Sequence, residues 1–163
     1  MPARGRSIEM TAHPIKRGSR RVVVRPMRVE DISEVYHLGE RIYNVGEAPL
    51  LYRTWDPYEV AAQFAAETEL SIVATVSGRL VGFCLSTTIE KPGKPWRYGY
   101  LIWLGVDPSY RLRHVGRKLA QRTLRLMKQR RAQSILVDTP EDNRGAINFF
   151  ERQGYRRRPL GFL

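Results

Sequence analysis

Val106-Asp107-Pro108-Ser109-Tyr110-Arg111-Leu112-Arg113-His114-Val115-Gly116-Arg117-Lys118-Leu119 is the stretch that decides the fold. It closes an apolar run, Tyr100-Leu101-Ile102-Trp103-Leu104-Gly105-Val106, which the Asp107-Pro108 pair ends as a strand. From Val115 onward apolar residues recur at Leu119, Leu124, Leu126 and Met127, a helical spacing. The segment therefore reads as strand, tight basic turn, helix. Its turn lies at a helix N-terminus, where N–H groups without intrahelical acceptors and the positive end of the dipole favour an anion. Arg111, Arg113, Arg117 and Lys118 add side-chain charge to those amides. The geometry suits a pyrophosphate.

The pattern Arg111-x-x-His114-x-Gly116 resembles the Arg/Gln-x-x-Gly-x-Gly/Ala signature of the GNAT acetyltransferase superfamily. The Val-Asp-Pro-x-Tyr before it resembles that family's approach to the turn. The resemblance implies that Arg111, Leu112, Arg113, His114, Val115, Gly116 and Arg117 hold the pyrophosphate of acetyl-coenzyme A (acetyl-CoA). One position departs. His114 replaces the first glycine, which would let backbone approach phosphate without a Cβ. Its ring must tolerate that approach or turn away, and a ring N–H can add a phosphate donor. The resemblance also implies that strands four and five splay beside the cofactor, with Gly105 helping as a bulge. The strand-four amides around Leu104 and Val106 would then bond the pantetheine arm.

A second stretch, Asp142-Asn143-Arg144-Gly145-Ala146-Ile147-Asn148-Phe149-Phe150-Glu151-Arg152-Gln153-Gly154-Tyr155, resembles the family's later motif, an asparagine-headed helix ending in glycine and an aromatic residue. Asp142 or Asn143 can cap that helix, and Gly154 ends it. The resemblance gives Asn143 a polar contact to coenzyme A. The family's tyrosine, often the acid for the departing thiolate, aligns with Phe150, so that acid is absent. Phe150 keeps only its place beside the cofactor. The pattern spans roughly Arg21 to the C-terminus.

Composition sets the bounds. A chain of 163 residues suits one domain, and 42% hydrophobic with 27% charged residues is ordinary for a globular protein. No apolar run reaches the roughly 20 residues that span a bilayer, and no secretory core segment is visible. Cys84 is the only cysteine, so an intrachain disulfide is excluded and a reducing cytoplasm is expected. Neither paired cysteines nor clustered histidines suggest a metal. The net charge of +12 concentrates at Arg111–Arg131 and Arg152–Arg158. Such a field steers anionic coenzyme A, and it also admits RNA, ribosome or acidic-protein contact, although no nucleic-acid motif is present.

In chain order, residues 1–20 read as a flexible basic tail and 21–163 as the acetyltransferase domain. Arg21–Pro26 is a strand, and Asp31 is placed to cap a helix running to about Tyr43. Asp56-Pro57 opens a second helix to about Thr68. Leu70–Val76 and Leu80–Ile89 form a hairpin around Ser77-Gly78-Arg79, and Tyr98–Val106 follows. Ser134–Thr139 and Tyr155–Arg158 are the closing strands. The expected class is α+β (mixed α/β). It has a central twisted, mostly antiparallel sheet of roughly six to seven strands and about four helices, GNAT-like.

The resemblance implies transfer of an acetyl group from acetyl-CoA directly to a primary amine: a protein N-terminus, a lysine or a small amine. Tyr100 occupies the strand-four position where the family often places a base, and Glu90 at the end of strand three is the second catalytic candidate. A phenol of pKa ~10 is a poor direct base but can hold a water or the amine in line. Tyr43, Tyr52 and Trp55 are the acceptor-side candidates, because the family's first inter-helix loop walls the acceptor pocket. Each aromatic residue can equally anchor its loop on the core. A homodimer is compatible with this reading. Two alternatives stay open: a non-catalytic acyl-CoA sensor, favoured by His114 and Phe150, and an RNA- or ribosome-associated basic module.

Overall fold

The structure, a computed structural model, describes residues 21–43 and 55–158, without the Leu112 side chain. The expected tail over 1–20, Tyr52 and the chain end at 159–163 lie outside the described residues.

Apolar side chains alternate along the strands and so build one sheet with two covered faces. Strands β1 (Val22–Pro26), β2 (Ser71–Val76), β3 (Arg79–Glu90), β4 (Arg97–Val106) and β5 (Ser134–Leu136) lie in the order β1-β2-β3-β4-β5. The first four pair antiparallel, and β5 joins β4 in parallel. Helices α1 (Ile32–Ile42) and α2 (Pro57–Ala66) belong to one face, where Val35, Leu38 and Val60 pack with Val73, Phe83, Leu85, Ile102 and Trp103. Helix α3 (Val115–Gln129) and helix α4 (Arg144–Arg152) belong to the other, where Val115, Leu119 and Phe150 meet Ile72, Ala74, Cys84 and Leu101. Each fully buried side chain of this size contributes roughly 1.5–3 kcal/mol.

Local chemistry explains most element ends. The Asp56 carboxylate accepts from the Glu59 N–H at 2.8 Å, with Pro57 at the first helical position of α2. Asp31 behaves differently from the expected cap. Its carboxylate turns back to accept from the Arg28 N–H (2.8 Å) and from Arg25 (2.6 and 2.8 Å), closing a 3-10 turn over Val29–Asp31. A nearby guanidinium out-competes a helix end for a carboxylate because charge-assisted bonds are the stronger ones.

Three further expectations need correction. The sheet has five strands among the described residues, not six to seven. Tyr155–Arg158 forms no strand, because it is tied to α4: Tyr155 N–H donates to Phe150 O (3.1 Å) and Arg157 pairs with Glu151 (2.6 Å). The bulge in β4 is at Ile102, between the pairs Leu85–Trp103 and Ser86–Leu101. Gly105 is an ordinary ladder residue opposite Phe83, and a Cβ there would stand 2.6 Å from the Phe83 ring. Its lack of a side chain serves packing. No helix among the described residues is long and apolar enough to cross a membrane.

Candidate functional site

The end of β4, the turn after it and the start of α3 form one rigid corner. Asp107 accepts from the Ser109 N–H at 2.9 Å and so caps a 3-10 turn, Pro108–Arg113. The same carboxylate, largely buried, faces Arg41 of α1 (3.5 Å) and Arg79 of the hairpin (3.9 Å). The turn is thereby tied to two other elements. His114 then adopts a left-handed conformation, φ 59° and ψ 22°, where an L residue costs about 1–2 kcal/mol. The first bond of α3 runs from Lys118 N–H to His114 O (3.0 Å). The N–H groups of Val115, Gly116 and Arg117 precede that bond and leave the helix end free to meet an anion.

Beside this corner, β4 has an open edge. Asp107 N–H donates to Val81 O at 2.8 Å, which fixes the phase of the antiparallel ladder. In that phase Trp103 and Gly105 address β3, whereas Leu104 and Val106 point their N–H and C=O groups to the opposite side. Pairing with β5 stops at Tyr100–Leu136, so no strand among the described residues covers that side. The separation opens a cleft of about 1320 Å³, lined by Leu104, Val106, Arg111, His114, Gly116 and Arg117, with α4 as its other wall.

The remaining sequence candidates distribute unevenly. Asn143 lines the cleft and caps α4, its Oδ1 accepting from Ala146 N–H at 3.1 Å while its NH2 group remains for a ligand. Phe150 also lines the cleft, edge-on to Phe149 and Tyr155. Arg113 instead covers the Tyr110 ring at 5.3 Å, and the fully buried Val115 side chain belongs to the core. Tyr43 reaches the cleft, where its hydroxyl donates to Leu104 O at 2.7 Å. Trp55 is an anchor: its ring stacks on Phe83 (centroids 5.2 Å apart) and its Nε1–H donates to Tyr36 O at 2.9 Å.

The two catalytic candidates part company. Glu90 pairs with Arg97 at the far end of the β3–β4 hairpin, and the structure does not bring it to the cleft. A strand-end carboxylate opposite an arginine forms a cross-strand pair, so its place at the end of strand three misled. The Tyr100 hydroxyl donates to Asp138 Oδ1 at 2.7 Å, and Asp138 lines the cleft. The apolar run Ser134–Thr139 reads as a strand with Asp138 inside it, which hides this carboxylate as a site residue. The only signal was a carboxylate at the end of the apolar run Ile135-Leu136-Val137.

Other ionisable groups nearby are poorly suited to chemistry. Burial pushes the Cys84 thiol up to about 12, and the Thr123 hydroxyl donates to its sulfur at 3.2 Å. A thiol so protonated is no nucleophile at neutral pH. Burial likewise raises the Tyr155 phenol to about 12, so it stays neutral and is a reluctant proton donor.

A family model described as acetyltransferase (GNAT) family matches residues 32–155. The chain belongs to that family. Within this GNAT acetyltransferase, the matched span contains the basic turn, the open β4 edge and the whole of α4. N-alpha-acetyltransferase 30 of Schizosaccharomyces pombe is 36% identical over 89 residues, 55% of this chain and 59% of that protein. The match thus spans about three-fifths of the relative's length. Ard1 from Thermoplasma volcanium superposes with a TM-score of 0.70 at 21% identity, covering 85% of this chain and 84% of the other. Arabidopsis thaliana Naa50, in complex with the bisubstrate analogue CoA-Ac-MVNAL, superposes with a TM-score of 0.67 at 20% identity, covering 85% of each chain. These two likenesses establish the GNAT fold of the chain.

Proposed function

We propose that this GNAT chain transfers an acetyl group from acetyl-CoA to the α-amine of a peptide or protein N-terminus. The observation that carries this reading is the basic turn and α3 N-terminus opening onto the uncovered edge of β4. The residues present fit acetyl-CoA: N–H donors and Arg111 for a pyrophosphate, an open strand edge for an amide-bearing arm, and Asn143 on the facing wall. Gly116 leaves ordinary clearance, since a Cβ there would lie 3.4 Å from Phe149.

Acetyl-CoA supplies an acetyl thioester, whose thiol, with a pKa of about 8.5 by analogy with cysteine, departs without a strong acid. The chain's own residues bind, orient and move a proton. Leu104 and Val106 offer backbone donors and acceptors as a further strand would. Asp138 is the carboxylate for the acceptor amine: it can hold an ammonium group and take its proton, while Tyr100 fixes its orientation. An α-amine, with pKa ~7.7–8.0, is already partly neutral at pH 7. A lysine amine of pKa ~10.4 is about one thousandth neutral and needs a stronger base. The resemblance to N-alpha-acetyltransferase 30 supports the same acceptor class.

The test is thiol release from acetyl-CoA against N-terminal peptides, lysine peptides and small amines. Release with the N-terminal peptides alone supports the reading. Tight acetyl-CoA binding without release from any acceptor would replace it with an acyl-CoA sensor.

A further inference from the structure

Tyr155 carries a hydrogen-bond donor that the fold does not use. Gly154, at φ 92°, reverses the chain as α4 ends, and the Tyr155 N–H donates to Phe150 O at 3.1 Å. The reversal lays the Tyr155 ring edge-on to Phe150, with centroids 5.3 Å apart. The Tyr155 hydroxyl has no hydrogen-bond partner among the described residues. No fully buried side-chain oxygen or nitrogen among those residues lacks a partner, so this hydroxyl is not sealed in the core. It opens on the large cleft, which Tyr155 lines. A tyrosine hydroxyl turned inward normally finds a partner, and here that partner has to come from the cleft.

The neighbours of the phenol fix its place along the cleft. Tyr155 packs in the cluster of Cys84, Leu101, Leu104, Val137 and Phe150, on the α3–α4 side of the sheet. Cys84 stands opposite Leu104 across the β3–β4 ladder, and after burial it is the second influence raising the phenol's pKa. A cofactor arm that leaves the phosphate turn along the open edge passes Val106 before Leu104. Its sulfur end therefore falls at the level of Leu104 and the phenol. Asp138 follows Val137 directly but meets Tyr100, which packs on the α1–α2 side. The carboxylate and the phenol thus address the end of the arm from opposite sides of the β4 edge.

We propose that the Tyr155 hydroxyl is the hydrogen-bond donor to the sulfur that departs from acetyl-CoA. The inference rests on acetyl transfer from acetyl-CoA in this cleft and on no particular acceptor. The acceptor nitrogen bonds to the thioester carbon and gives up a proton to Asp138. The carbon–sulfur bond breaks, its electron pair stays on sulfur, and the thiolate later takes a proton from water. The phenol, raised to about 12, stays well above a thiol of pKa about 8.5, so it shares its proton without surrendering it. A donor aimed where negative charge develops lowers the barrier, and a bond to an ionised acceptor is the stronger kind.

The experiment compares the wild-type chain with Tyr155→Phe, each saturated with the product CoA. Ultraviolet difference absorbance follows ionisation of the CoA thiol across pH, with desulfo-CoA as the blank. The titration uses CoA alone, so its result does not depend on which amine is acetylated. The bound thiol should ionise about one pH unit lower in wild type than in Tyr155→Phe. In turnover with the fastest amine, Tyr155→Phe should lower kcat about tenfold and leave the KM for acetyl-CoA within roughly twofold. Its melting temperature should match wild type, because no bond within the protein is lost. Identical thiol titrations, an undiminished kcat or a lower melting temperature in Tyr155→Phe overturns the proposal. Failure of the wild type to bind CoA overturns it together with the cofactor reading of the cleft.

Discussion

The Tyr100 hydroxyl donates to Asp138 Oδ1 at 2.7 Å where pairing between β4 and β5 ends. One strand thus holds a carboxylate of the next in a fixed attitude at the cleft. Asp138→Asn keeps the shape but removes the proton acceptor, and kcat/KM for a peptide acceptor should fall by about a hundredfold. Tyr100→Phe leaves the carboxylate in place without the phenol's hydrogen bond, so a smaller loss of about tenfold, mostly in kcat, is expected. Steady-state kinetics of both variants decide it. An Asp138→Asn enzyme as active as wild type would remove Asp138 from the chemistry.

His114 stands in the left-handed region at φ 59°, a position that favours glycine. His114→Gly should relieve up to about 1 kcal/mol of strain, raising Tm by roughly 2–4 °C. The turn amides remain, so acetyl-CoA affinity should hold or improve. Calorimetry of melting and of binding reads both. Lost affinity would mean that the imidazole itself contacts phosphate.

Gly39 is on the side of α1 that receives Trp55, and a Cβ there would lie 2.0 Å from the indole. The ring is rigid and wedged against Phe83, so it cannot swing aside cheaply. Gly39→Ala should cost about 1–3 kcal/mol and redden tryptophan fluorescence as Trp55 leaves its pocket. An unchanged melt with unchanged emission would show that Trp55 is no anchor.

Asp31 is held below the usual carboxylate range, chiefly by the Arg25 hydrogen bonds and also by the Arg28 N–H. Its folded pKa lies below its unfolded one, so the native state binds fewer protons and gains stability above about pH 4. That gain disappears as pH falls through the lower, folded value. Asp31→Asn should therefore be less stable than wild type at pH 7 by about 2 kcal/mol. The two should converge as pH falls through that lower, folded value. Urea melts across pH test the sign, and a gap that widens on acidification would contradict it.

How legible these features were depended on their range along the chain. Helix α3, the proline-opened α2, the Ser77-Gly78 hairpin and the basic turn rest on local spacing and were all readable. Asn143 as a cap was one of two local choices. Asp31, Glu90 and Ile102 were not readable, because each is decided across the sheet: by Arg25, by Arg97 and by the β3 register. Asp138 was hidden most deeply. Its place at the cleft follows from β5 pairing over only three residues, a length that no propensity in Ser134–Thr139 sets.

The acceptor is best tested by one comparison: acetyl-CoA turnover with a peptide bearing a free N-terminus but no lysine, against the same peptide N-terminally blocked and carrying an internal lysine. Arg111→Glu is run beside the wild type, and the acetylated atom is located by mass spectrometry. The expected result is acetylation of the free α-amine alone, with the turnover lost when Arg111→Glu places an acid in the phosphate turn. Acetylation of the lysine peptide at an equal rate, or full activity in Arg111→Glu, would contradict it.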